Sequence, residues 1–351
     1  MKLIQFQFVK VIRRSVCIFD AVKNVLISFW LLISCICNSY AQDSIVREKR
    51  IVDTFSFNHA LQGEIRCLAV PNYPKRKWIV GGTSAALYGG SLISLNKAWY
   101  QNYPKAPFHT FDDSREWLQV DKVGHAWTAY QTSRGTTAAW TWAGLPHKKA
   151  VLLGSATGFT YLTVIEILDA HSAEWGWSWA DMGANLFGSA LFAAQELHWN
   201  AQKIQFKFSA HRNNYDPPLQ QRADKLFGNT LPERLLKDYN GQTYWLSFNI
   251  KGISDVWNLP PWLNIAVGYG ADGLWGGFEN KGYDGEGNVV FNRTDISRQR
   301  QWYLSPDIDF TKIKTGSKPL KTLFFLLNAI KIPAPALEFS NGSFKGHFIY
   351  F

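Results

Sequence analysis

Residues 150–169 read AVLLGSATGFTYLTVIEILD, and this stretch decides the character of the chain. No charge occurs from Ala150 to Ile165, and Gly154 and Gly158 stand in G-x-x-x-G spacing. That spacing strips side-chain bulk from one stripe of a helix, so a second backbone can approach closely, in lipid or in a tight bundle. Glu166 and Asp169 then close the run one turn apart. Carboxylates at the end of an apolar helix are costly unless paired with other polar groups, a metal ion or water. The stretch therefore predicts a small-residue-rich helix whose polar end needs partners.

Working outward, Trp78 to Asn96 is a second uncharged run, with Gly81, Gly82, Gly89 and Gly90, behind the basic cluster Lys75-Arg76-Lys77. Met182 to Gln195 is a third apolar run, too short to cross a bilayer. Between the first two, Ser114 to about Gln131 predicts an amphipathic helix, with Asp113 as its cap and Glu116 at the capping-box position. Val120, Val123, Trp127 and Tyr130 share one face; Asp121, His125, Thr128 and Thr132 share the other.

The amino terminus predicts export. Basic residues precede the apolar run Val25–Cys37, and Ser39-Tyr40-Ala41 forms a small-x-small cleavage site, which makes residues 1–41 a signal peptide. Leu32-Ile33-Ser34-Cys35 also fits a lipobox, with Cys35 as the lipidated residue. Both routes lead to the periplasm or to an outer-membrane-associated place in the cell envelope. Cys17, Cys35 and Cys37 lie in this region, so after cleavage at Ala41 Cys67 is left without an intrachain disulfide partner. With export, Lys75-Arg76-Lys77 fall on the outer side of the helix that follows, against the positive-inside rule for an inner-membrane span. Helices packed together in the periplasm or at a membrane surface fit better.

Residues 42–77 read as a lead-in, 78–205 as a helical core, 206–240 as a linker with short helices around Pro217-Pro218, and 241–351 as a β-rich region. In the last, Tyr244, Leu246, Phe248 and Ile250 alternate with more polar neighbours. So do Ile265, Val267 and Tyr269, and Trp302, Leu304, Ile308 and Phe310. Asn280 to Asn288 carries carboxylates but lacks the ligand order of a calcium loop, and predicts a plain hairpin. His347–Phe351 predicts a last strand docked on this region, because strong strands are too few for an eight-stranded barrel. The fold class is α+β: a small-residue-rich, membrane-associated helical core followed by a β-rich carboxy-terminal region.

Sixteen Trp, 24 Phe and 14 Tyr suit either an interfacial aromatic belt or a large aromatic core. The net charge of +10 is partly carried by Lys2, Lys10, Arg13, Arg14 and Lys23, ahead of the cleavage site. No dense basic run accompanies a nucleic-acid motif, which argues against a nucleic-acid partner and leaves membrane lipid or envelope proteins.

The residues that could carry chemistry are Asp121, Lys122 and His125 on the amphipathic helix, Glu166 and Asp169, and Ser178, Asp181 and Asn185 at the third run. Packing these helices side by side gathers them into one polar cluster. A structural network is one outcome. In the other, His125 is a general base, Glu166 and Asp181 hold a cation or orient water, and Lys122 stabilises a developing anion. Two functions follow: a non-catalytic envelope scaffold or partner subunit, and an envelope hydrolase acting on lipid or cell-wall precursor. Nucleophile elbow, HExxH and P-loop are all absent, and no cofactor is specified. Burial cost further predicts that Glu166→Ala destabilises more than Asp307→Ala, an acid placed on a polar strand face.

Asp121-Lys122-x-x-His125, Glu166, the turn Gly176-Trp177-Ser178-Trp179-Ala180-Asp181, and then Asn185 and Gly188 together resemble the YfiM-like family of periplasmic lipoproteins, a domain of unknown function. More loosely, the helical pattern is similar to VanZ-like membrane proteins. The resemblance covers about 113–195 and implies an envelope location and a helical core, without a reaction. Compact members end soon after this segment and often carry Asp at the position of Asn185.

Overall fold

The computed structural model describes residues 73–98, 100, 104–254 and 259–351. The signal peptide, the lipobox at Cys35, Cys67 and most of the lead-in lie outside the described residues.

Four long helices come first: α1 (Pro74–Ala98), α2 (Val120–Trp142), α3 (His147–Asp169) and α4 (Trp179–Trp199). Helices α2, α3 and α4 each pack against the other two. Glycine permits this closeness. A Cβ at Gly154 would overlap Thr137 and one at Gly158 would overlap Ser133, both on α2. On α4, a Cβ at Gly188 would run into the Ala126 carbonyl. Helix α1 rests on the outside of this trio, through Val80 against Trp142 and a 2.6 Å hydrogen bond between Tyr88 and Thr136. Open space surrounds the α1 glycines Gly82, Gly89 and Gly90, so packing does not demand them.

The amphipathic helix starts later than its pattern suggests, at Val120 and not Ser114. Trp117, Leu118 and Gln119 stand at φ 48°, 50° and 66°, a left-handed turn that costs roughly 1–2 kcal/mol per residue. Bonds to the sheet region hold it: Trp117 N donates to Gly277 O at 2.7 Å, and the Tyr269 hydroxyl donates to Leu118 O. Asp113 caps nothing. Its carboxylate is drawn into the cluster described below.

After α4 the chain forms a six-stranded antiparallel sheet in the order β1 (Ile204–Ala210), β2 (Gln242–Asn249), β3 (Leu263–Asp272), β6 (Gln299–Ile308), β7 (Ala334–Ser340) and β8 (Ser343–Tyr350). Its first strand lies in the stretch whose prolines suggest only a linker. Helices α5 (Pro217–Phe227) and α6 (Leu231–Lys237) separate β1 from β2, and the four-residue α7 (Ile250–Ile253) follows β2. β4 (Lys281–Tyr283) and β5 (Val289–Asn292) make the plain hairpin expected around Asn280–Asn288. Helix α8 (Lys318–Leu327) precedes β7, and Ala329–Lys331 bonds to the free edge of β1 at Phe208.

The register divides the sheet into two unlike faces. One row runs Phe208, Tyr244, Tyr269, Trp302, Phe339, Phe344, and the next Phe206, Leu246, Val267, Leu304, Leu337. On the other face, Gln205, Ser247, Ala266 and Ser305 align, as do Asn249, Asn264 and Asp307. This second face, which also carries the buried Trp245, Tyr303 and Ala336, is the enclosed one. The sheet curls until Tyr350 of β8 bonds Thr243 of β2 at 2.9 Å and stacks near Tyr303 with ring centroids 4.3 Å apart. Asn264, Ser247 and Lys207 are wholly buried there. Helix α2 covers the apolar face over β1 and β2, where Trp127 lies 5.3 Å from Phe208, centroid to centroid. Farther out that face is bare: Trp302 is 48 % and Phe344 71 % exposed. Asp307, expected on a solvated strand face, is buried against Lys207 at 2.7 Å. The premise behind ranking Glu166→Ala above Asp307→Ala therefore fails, because both acids are enclosed.

Candidate functional site

Three helices and one loop deliver the cluster. The Asp121-Lys122-Val123-Gly124-His125 turn of α2 places Lys122 and His125 toward the ends of α3 and α4. Ser178 caps α4 by accepting from Asp181 N at 3.0 Å, which sets Asp181 and Asn185 on the inward face of that helix. The Ser178 backbone N–H turns back to Glu166 Oε2 at 3.4 Å, tying the end of α3 to the start of α4.

Lys122 is the hub. Its Nζ lies 2.5 Å from Asp113, 2.8 Å from Asp121 and 3.0 Å from Asp181, and Asp113 also accepts from Ser178 Oγ at 2.5 Å. An ammonium held by three carboxylates neutralises charge; it is poorly placed to meet a further anion. His125 stands beside this hub. Its Nδ1 is 3.1 Å from Asn185 Oδ1 and 3.5 Å from Glu166 Oε1, and its Nε2 is 3.8 Å from Asp181 Oδ1. Asp169 sits at the rim and accepts from Tyr100 at 2.7 Å.

Acids outnumber the bases that answer them, and the pKa values follow. Burial, with Asp181 and Asp169 nearby, pushes Glu166 up to about 9. Burial likewise raises Asp169 to about 6, and it raises Asp181 and Asp121 against the opposing pull of the neighbouring cations. Glu116 rises to about 7 through burial and the charge of Asp121. Asp113 goes the other way: burial favours its neutral form, but hydrogen bonds from Lys122 and Ser178 outweigh that and hold it low. Lys122 is raised, because Asp121 and Asp181 overcome its own desolvation. Low-dielectric surroundings penalise each charge and strengthen each pair, which produces this spread.

The structure thus brings Asp121, Lys122, His125, Glu166, Ser178, Asp181 and Asn185 together, with Asp169 at the margin. Sequence reasoning missed Asp113 as a member, because an acid ahead of an amphipathic pattern reads as a cap. It also missed Tyr100, for which no local signal exists. His125, 24 % exposed at its side chain, carries the cluster to the surface. A cavity of about 400 Å³, lined by Arg134, Phe192, Glu196 and Phe325 among others, lies elsewhere and includes none of these residues.

No curated protein and no solved structure matches the chain. Residues 110–196 match a family described as predicted periplasmic lipoprotein, DUF2279. The matched segment holds α2, α3, all but the last three residues of α4 and every cluster residue except Tyr100, while the whole sheet lies beyond it. In its helical part the chain is therefore similar to predicted periplasmic lipoproteins, a description consistent with an exported, envelope-associated protein.

Proposed function

We propose that this is a non-catalytic cell-envelope protein that works against a lipid surface, with the uncovered face of its sheet turned to the acyl chains. The observation that carries this reading is the sheet's outer face: polar rows and the Trp245–Tyr303–Tyr350 cluster are enclosed, while apolar rows stand bare outside. Ile265, Val267, Leu304, Leu337 and Phe339 continue the bare face without an intervening charge. Monomeric soluble surfaces rarely carry a continuous apolar patch of this kind. Lipid is favoured over a protein partner because the rows extend unbroken across four neighbouring strands, whereas protein interfaces intersperse polar contacts. The similarity to lipoproteins supports a place beside a membrane. Helix α3 adds to it. It is the one helix among the described residues long and apolar enough to cross a bilayer, with only 28 % of its most apolar stretch buried. Its contact is lateral and not a crossing, since Glu166 and Asp169 at its end belong to the polar cluster.

The test is flotation with phosphatidylethanolamine–phosphatidylglycerol vesicles. Moving each half-exposed side chain into lipid contributes about 1 kcal/mol, so replacing both Trp302 and Leu304 by Glu should weaken partition at least tenfold. Unchanged flotation of that variant overturns the reading. So does a concentration-dependent dimer that the same change abolishes, because a second copy would then cover the face.

One observation favours hydrolysis as a second reading: His125 reaches solvent with carboxylates on both sides. Turnover of phospholipid or cell-wall precursor by the purified chain, lost in His125→Ala, would support it. Absence of turnover with and without added divalent metal would remove it.

A further inference from the structure

We propose that His125, Glu166 and Asp181 bind a divalent first-row transition-metal ion, each residue supplied by a different helix. One ligand atom from each lies within 4.8 Å of the others. The His125 ring is 3.5 Å from Glu166 Oε1 on one side and 3.8 Å from Asp181 Oδ1 on the other. The 3.5 Å contact is to Nδ1 and the 3.8 Å contact to Nε2. Nitrogen and oxygen donors held at 2.0–2.2 Å from one ion sit roughly 3–3.5 Å apart, so ligation through Nε2 requires Glu166 to draw in by about 1 Å.

A second observation, independent of the grouping, points to a ligand. Glu166 is 1 % exposed, and its Oε1 has no hydrogen-bond partner while facing His125. Its other oxygen is satisfied by Ser178 N. Buried carboxyl oxygens without a hydrogen-bond partner are rare because each forfeits the solvation that it had in water. Lys122 does not meet this need, since its ion pairs run to Asp113, Asp121 and Asp181. Asp181 is shared: both its oxygens lie 3.0 Å from Lys122 Nζ, Oδ2 accepting the hydrogen bond, and Oδ1 also faces the imidazole at 3.8 Å.

The chemistry of the donors selects the ion. An imidazole nitrogen with two carboxylates and no thiolate suits zinc or manganese, whereas calcium and magnesium favour all-oxygen shells. Asn185 acts as a positioning residue. With Nε2 turned to the ion, Nδ1–H donates to Asn185 Oδ1 at 3.1 Å, which sets the tautomer and angle of a ligating ring. The partial exposure of His125 provides the entry path. The membrane reading is not required for any of this.

The experiment uses the full chain in mild detergent, stripped with chelator and titrated with zinc chloride by calorimetry, with bound metal counted by mass spectrometry. One equivalent of zinc is expected, together with a higher Tm. Glu166→Gln and Asp181→Asn should each weaken binding about 100-fold or more and abolish the Tm rise. Glu338→Gln, beside His347 on the distant strands, should leave both unchanged. Should a ligand variant fail to fold, cobalt(II) added to the unaltered chain decides: visible absorption of a nitrogen–oxygen site supports the proposal, and its absence overturns it. Failure of the unaltered chain to take up zinc or cobalt overturns it, as does full zinc affinity in a folded Glu166→Gln.

Discussion

Lys207 Nζ lies 2.7 Å from Asp307 Oδ2 in the enclosed face of the sheet, and neither side chain has any exposed surface. Ser247 donates to the same carboxylate oxygen at 2.6 Å, and Lys207 also donates to Ile308 O at 2.7 Å. Burial still holds the Lys207 ammonium below the usual lysine value, against the pull of Asp307. A pair of this kind takes the place that Leu and Val hold in most sheets.

Breaking the pair should therefore be severe. Asp307→Ala leaves the buried ammoniums of Lys207 and Lys331 without their shared carboxylate and is expected to cost about 3–5 kcal/mol in chemical denaturation. Lys207→Met combined with Asp307→Leu should recover part of that loss, because the packed apolar pair needs no desolvation while the buried Lys331, 4.0 Å from Asp307, still loses its carboxylate. A double variant no more stable than Asp307→Ala would show that the pair is not the cause.

Gly188→Ala tests the helical contact. The added methyl meets the Ala126 carbonyl, so α4 must move, at about 1–3 kcal/mol. Gly183→Ala, with open space around it, should be neutral or slightly stabilising. Thermal unfolding of the two variants side by side distinguishes a steric effect from helix propensity.

The β7–β8 turn should respond to backbone conformation alone. Asn341 and Gly342 stand at φ 47° and 73°, the pairing of a tight two-residue hairpin. No side chain lies near Gly342, so Gly342→Ala should cost about 1–2 kcal/mol through left-handed strain only. Gly346→Ala, equally open but without positive φ, should change stability little.

The pH dependence should show Glu116. Its folded pKa of about 7 exceeds the ordinary glutamate value of 4.5. The unfolded chain then gives up the proton first, so this contribution is fully present below pH 4.5 and is lost as pH rises through 7. Glu116→Gln should flatten the stability curve across that window by on the order of 1 kcal/mol, allowing for solvent screening of a half-buried group. Equal slopes for both proteins would show that Glu116 does not titrate there.

Local rules carried a good part of the helical region. Gly154 and Gly158 announced a close helix contact because missing side chains leave only one use for that stripe. Ser178, three residues before Asp181, announced a helix start through hydrogen bonding that needs no distant residue. The convergence of His125, Glu166 and Asp181 could be anticipated from cost, since polar groups on apolar helices must find one another. Their distances and the third grip on Lys122 could not, because Asp113 reaches the cluster only through the left-handed turn at Trp117–Gln119. Bonds from Gly277 and Tyr269, more than 100 residues away in the chain, hold that turn.

The sheet marks the limit most clearly. Alternation in Trp302, Tyr303, Leu304 and Ser305 already separates two faces, because successive side chains on a strand point opposite ways. It carries no sign saying which face is enclosed. That choice was made by the curl that brings Tyr350 across to Thr243 and by α2 settling on Phe206 and Phe208. Both are contacts between residues far apart in the chain, and together they put Lys207 and Asp307 inside and Trp302 and Leu304 outside.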